Sequence, residues 1–155
     1  MIAFLCRNKK VMIIIIVLSF FIVYIDYSTK LFDVLTEIQK REQLFSLIET
    51  IVSFSSITTA FLFFGVSFIP LISDDNKIMK IFRNKEKNYE EFIVCAIQFL
   101  LVSTISILIY LLYIVDLSNI KCLLLIMITL LLSSILNMIL LFYDLLKDIS
   151  KKINQ

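Results

Sequence analysis

The chain has no histidine and no tryptophan, and its 155 residues include one glycine (Gly65) and one proline (Pro70). Without histidine, the commonest general base and the commonest metal ligand are missing. The three cysteines, Cys6, Cys95 and Cys122, are scattered, with no C-x-x-C pair to mark a zinc site or a thiol-redox couple. Charge is scarce too: 18% of residues are Asp, Glu, Lys or Arg, against about 25% in soluble domains. A net charge of +2 is too small to argue for nucleic acid, and no stable duplex binding is expected. No carboxylates pair at a shared depth, and little chain lies outside the apolar runs to build a pocket. An enzyme is therefore not expected, nor a cofactor, nor a bound metal.

What the chain does have is apolar length. Sixty per cent of residues are hydrophobic and the mean hydropathy is +0.97. A bilayer core of about 30 Å needs about 20 apolar residues in a helix. Four runs approach or exceed this: residues 11–27, 47–72, 92–115 and 122–143. The fold class expected is all-α, a single polytopic domain of four transmembrane helices. The first run follows Arg7, Lys9 and Lys10 like a signal peptide, but Asp26-Tyr27-Ser28-Thr29-Lys30 offers no small-x-small cleavage site, so it reads as a retained span. Its β-branched, nearly featureless surface suits the lipid-facing outside of a bundle.

Placing both termini inside puts eleven Lys and Arg in the inner segments and four in the outer ones, which favours an N-in, C-in orientation. Residues 116–121 are a short link, so the third and fourth spans form an antiparallel hairpin. Residues 144–155 continue the fourth span as a cytoplasmic helical tail. Residues 26–46 are amphipathic, with Leu31, Val34, Leu35 and Ile38 at helical spacing, and read as an interfacial helix or as a lead into the second span. Enrichment in Ile, Lys and Asn suits an AT-rich bacterial genome, and the location expected is the cell inner membrane.

The second run carries the strongest pattern. Glu49, Ser53, Ser56, Ala60, Phe63 and Ser67 follow one another at intervals of 4, 3, 4, 3 and 4, a heptad stripe down one helical face. It covers about 27 Å at 1.5 Å per residue, close to the hydrocarbon thickness. Two readings of its hydroxyls stand side by side. Small residues let helices approach closely in lipid and hydroxyls bond across the contact; the same groups can line a water path. On the second reading Phe63 is a gate that closes by dewetting, and a ring of Glu49 carboxylates favours cations at the mouth. Against this, Glu49 lies near the start of its run and reads equally as a solvated group at headgroup level.

Gln98 and Asn137 are amides at membrane depth on different spans. Each is costly unless partnered, so both are expected to act as interhelical polar contacts. The third span also carries a line of its own: Cys95, Gln98, Val102, Ser106, Ile109 and Tyr113. Residues 73–91 are the longest hydrophilic segment, a cytoplasmic basic amphipathic loop. There Lys77, Lys80, Arg83, Lys85 and Lys87 intersperse with Ile78, Ile81 and Phe82, a pattern for anionic lipid headgroups or for a phosphate-bearing signal.

In size, span count, hydroxyl stripe and basic inner loop, the chain resembles the small membrane effectors of bacterial anti-phage systems, CBASS and Hailong among them. The resemblance is one of architecture, with no diagnostic motif, so no functional residue transfers from it. It implies a homo-oligomeric pore, opened by a nucleotide or oligonucleotide signal made by a partner enzyme. The Gly-, Pro- and Trp-rich frame of small multidrug transporters and the cysteine pairs of quinone-linked disulfide enzymes are missing. Two functions are therefore expected to compete: an ion channel or pore built as a symmetric ring, and a non-conducting subunit packing on a larger membrane partner.

Overall fold

Each apolar run forms one long helix in the computed structural model of the chain, which describes residues 9–36, 41–68, 86–114 and 120–153. In chain order these are α1 (Lys9–Thr29), a single short helix α2 (Leu31–Leu35), α3 (Arg41–Phe68), α4 (Glu86–Ile114) and α5 (Ile120–Ile153). No strand occurs among the described residues. Four of the helices contain a stretch long and apolar enough to cross a membrane: Lys9–Thr29, Glu42–Ser67, Glu90–Leu112 and Ile120–Lys147. The protein is all-α, with the four spans that its hydropathy predicts. Helix α3 starts six residues before the apolar run at residue 47, because Leu44 extends its buried face by one turn. Pro70, expected to end that helix, lies outside the described residues.

The four long helices stand in a row rather than a square. Helix α4 sits between α3 and α5, and α1 packs on the far side of α5; α2 touches the ends of α1, α3 and α5. Both central contacts are antiparallel, as the paired residues show. Phe45 meets Tyr110 and Phe54 meets Phe99 between α3 and α4. Between α4 and α5, Phe92 meets Phe142 and Ser106 meets Met127, the register of a hairpin.

Between helices in lipid the hydrophobic effect is weak, so contact relies on close packing and hydrogen bonds. The α4–α5 seam is built accordingly, with Ala96, Ser106, Ser133 and Ser134 all fully buried. The apolar core divides in two. One cluster, around Ile48, Val102, Ile109, Leu124 and Met127, lies toward the α2 end; the other, around Leu62, Phe99, Leu141 and Leu145, lies toward the opposite end. Ser55 and Thr59 on α3, and Ser133 and Ser134 on α5, fall between the two clusters in sequence and are buried. Helix α1 buries Ile22 and Asp26, and leaves Ile13, Val17, Phe20, Phe21 and Tyr24 exposed.

The turn out of α1 is held by its own side chain. Thr29 ends the helix, and Lys30 takes the left-handed conformation at φ 51° that lets the chain reverse into α2. Lys30 offers α2 no side-chain cap. The Asp26 carboxylate does so instead, accepting the Phe32 N–H at 3.2 Å.

Candidate functional site

Helix α3 forms one edge of the row, and it presents three faces. Leu44, Ile48, Ile51, Ser55, Thr59, Leu62 and Val66 are buried against its neighbours. Moving one residue along a helix turns the side chain by about 100°. The stripe lies at that offset: Glu49, Ser56, Ala60, Phe63 and Ser67 each follow a buried residue. All of them, and Ser53, are exposed in the protomer, Phe63 at 41%. A further turn brings Phe54, Ile57, Phe61 and Phe64, exposed and apolar, as a lipid-facing surface requires. The stripe is therefore an external face of the protomer, not part of its interior.

The hydroxyls on that helix differ in what they are bonded to. Thr50, Thr58, Thr59 and Ser67 each donate to the carbonyl four residues back, at 2.7–2.8 Å. Ser56 Oγ lies 3.2 Å from Ser103 Oγ of α4, so that member of the stripe also links two helices. Ser53 has no hydrogen-bond partner among the described residues, and neither has the Glu49 carboxylate one turn before it. These two groups line an open groove of about 360 Å³ between α3 and α4, closed by Ile48, Val52, Ile107 and Tyr110. Tyr110 is fixed there by its tilted ring contact with Phe45, centroids 5.0 Å apart. Gly65, the one glycine, is not a point of close approach, since a Cβ there would meet nothing within 4 Å.

The second polar line has the opposite fate. On α4, Cys95, Gln98, Val102, Ser106 and Ile109 are all buried; the Tyr113 side chain lies outside the described set. Asn137 Nδ2 of α5 donates to Gln98 Oε1 at 2.7 Å, so the two amides, for which the sequence names no partner, meet each other across the seam. Cys95 Sγ donates to the Ser134 carbonyl at 3.7 Å. Gln98 Nε2, Ser55 Oγ and Ser133 Oγ are buried without a partner among the described residues. Among the basic residues, Lys77, Lys80, Arg83 and Lys85 lie outside the described residues; Lys87 falls in the first turn of α4, its side chain likewise undescribed.

One charged group of residues escapes the sequence reading. Lys121 Nζ, in the first turn of α5, reaches Asp26 Oδ2 at 3.0 Å and Asp33 Oδ1 at 2.6 Å. It ties α5 to the end of α1 and to α2. Asp26 is 8% exposed, whereas the Lys121 side chain is 37% exposed, so the pair runs from a buried acid to a wetted base. The signal available was two opposite charges at the edges of separate apolar runs, Asp26 ending one and Lys121 preceding another. No group of three His, Cys, Asp or Glu able to hold a metal occurs among the described residues.

A row of four apolar helices, with amides and serines joining its centre and a polar stripe along one edge, makes this a multi-pass membrane protein. No family model, curated protein or solved structure matches the chain.

Proposed function

We propose that the protein is an oligomeric membrane channel or pore, in which copies of α3 surround a common axis. One observation carries the reading: all six stripe residues are exposed in the protomer, although Ser56 also reaches Ser103 of α4. A carboxylate and hydroxyls facing hydrocarbon are unfavourable, so such a face wants either water or another protein surface. One four-helix protomer is too small to enclose a pore, and a closed symmetric ring supplies the axis. In that ring Phe63 forms the hydrophobic constriction and Glu49 an acidic collar that favours cations.

The finer parts of the reading rest on sequence. The basic residues Lys77, Lys80, Arg83, Lys85 and Lys87 would receive a cytoplasmic nucleotide-type signal, and the architectural resemblance to anti-phage effectors supplies the defence context, at the inner membrane with both termini inside. A second reading, a non-conducting subunit packed on a larger partner, is favoured by the Ser56–Ser103 contact and by Ser67, whose hydroxyl already donates to Phe63 O.

Liposome flux and oligomeric state, measured on the purified protein, decide between them. Phe63→Ala should leak and Glu49→Gln should lose cation preference. Silence from wild type and both variants, with nucleotide extracts added, together with a monomeric protein, would retire the pore in favour of the subunit.

A further inference from the structure

We propose that the groove at Glu49 binds single-chain alkylammonium cations that partition into the bilayer. The groove is formed within one protomer, between α3 and α4, and its 360 Å³ falls in the range of small-molecule sites. Three of the residues that line it carry polar groups: Glu49 a carboxylate, Ser53 a hydroxyl and Tyr110 a phenol. None of the three has a hydrogen-bond partner among the described residues, whereas Thr50, Thr58 and Thr59 on the same helix all donate to their own backbone. The rest of the lining is aliphatic: Ile48, Val52 and Ile107.

Chemistry selects the ligand. Glu49 lies eight residues into α3, about 12 Å from its start, inside the stretch apolar enough to cross a membrane. A carboxylate at that depth excludes anions and favours a cation. A bare divalent ion needs six or more oxygen ligands and gains nothing from aliphatic walls. A primary ammonium carries three N–H donors, matching one carboxylate and two hydroxyl oxygens. An alkyl chain attached to it covers Ile48, Val52 and Ile107. A trimethylammonium head keeps the charge but loses the donors, and an alcohol loses the charge. The order of binding is thus primary amine, then quaternary amine, then alcohol. A phospholipid amine is disfavoured, because its phosphate would approach the same carboxylate.

The inference deepens the pore reading, since Glu49 and Ser53 serve both, but binding itself needs one protomer alone. The test is photolabelling of the full chain in phosphatidylcholine nanodiscs with a diazirine-bearing dodecylamine, mapped by mass spectrometry. Label is expected at residues 48–53 and 107–110, displaced by dodecylamine at concentrations where dodecanol has no effect, and reduced about tenfold by Glu49→Gln. Label spread evenly over the exposed apolar helices, or indifferent to Glu49→Gln, or displaced equally by dodecanol, overturns the site. Displacement by added phosphatidylethanolamine overturns the choice of a phosphate-free amine. A parallel flux assay separates the two claims. Specific label without flux leaves the site standing and the pore fallen; flux with diffuse label does the reverse. Where both hold, dodecylamine blocks wild-type flux and spares Glu49→Gln.

Discussion

Helices α3 and α4 carry nearly the same pattern and use it in opposite directions. Each has a line of residues at intervals of three or four that mixes small and polar members with apolar ones, Phe63 on α3 and Val102 and Ile109 on α4. On α4 the line is turned inward, and Gln98 finds Asn137 across the seam. On α3 the line is turned outward, and Glu49 and Ser53 find nothing among the described residues. The cause is position. Helix α4 packs along its length on both α3 and α5, whereas α3 packs along its length on α4 and meets α2 only at its end. In water the polar line would mark the solvent side of either helix; in lipid it marks wherever another surface must arrive. For α4 that surface is in the same protomer; for α3 the protomer supplies it only at Ser56, which meets Ser103.

Equal truncations on the two lines should therefore have unequal effects. Ile109→Ala, at a fully buried site on α4, should cost about 2–4 kcal/mol of protomer stability, by lost contacts and the cavity left behind. Phe63→Ala on α3 should cost less than about 0.5 kcal/mol in dispersed protomers, and should act on association or flux instead. Reversible unfolding in bicelles measures both. Equal losses would mean that the stripe is part of the protomer's own core, and the contrast would collapse.

A double-mutant cycle on Gln98→Leu and Asn137→Leu should return a coupling of about 0.5–1.5 kcal/mol, the range for hydrogen bonds between membrane helices. A cycle on Ser53→Ala with any α4 partner should return none. Lys121→Met should lower the thermal midpoint more than Asp33→Asn, because it strands the buried Asp26 as well as the exposed Asp33. High salt should erase the effect of Asp33→Asn first, since exposed pairs are screened. One change is expected to be a gain: Lys30→Gly should stabilise by up to about 1 kcal/mol, relieving a left-handed backbone that glycine adopts freely. A loss there would show that the Lys30 side chain contributes something its backbone conformation does not reveal.

Much of this is legible in the sequence alone. Run lengths set four helices, and the featureless surface of the first placed it on the outside, where Ile13, Val17 and Phe20 now lie. The amides Gln98 and Asn137 had to find partners, and they found each other. What could not be read was the order of helices in the row. Neither polar line says whether its partner lies in the same chain, because both meet the same requirement in lipid. The Asp26–Lys121–Asp33 cluster was hidden for a different reason: each charge sat at the edge of an apolar run, where a solvated residue is unremarked, and the pairing depends on α1 lying beside α5.

That last adjacency sets a timetable. Asp33 and Lys121 stand 88 residues apart in the chain. At about 5–20 residues per second, roughly 4–18 s of synthesis separate them. Throughout that interval α1 is already made while the helix it packs against is not. A first helix with a polar stripe would spend those seconds available to any passing membrane protein. Helix α1 has no such face, which makes it a segment that can drift alone in the bilayer until α5 is delivered. Nascent chains halted before Ile120 should therefore carry a first helix that lacks its long packing partner and touches only the short α2 at its end.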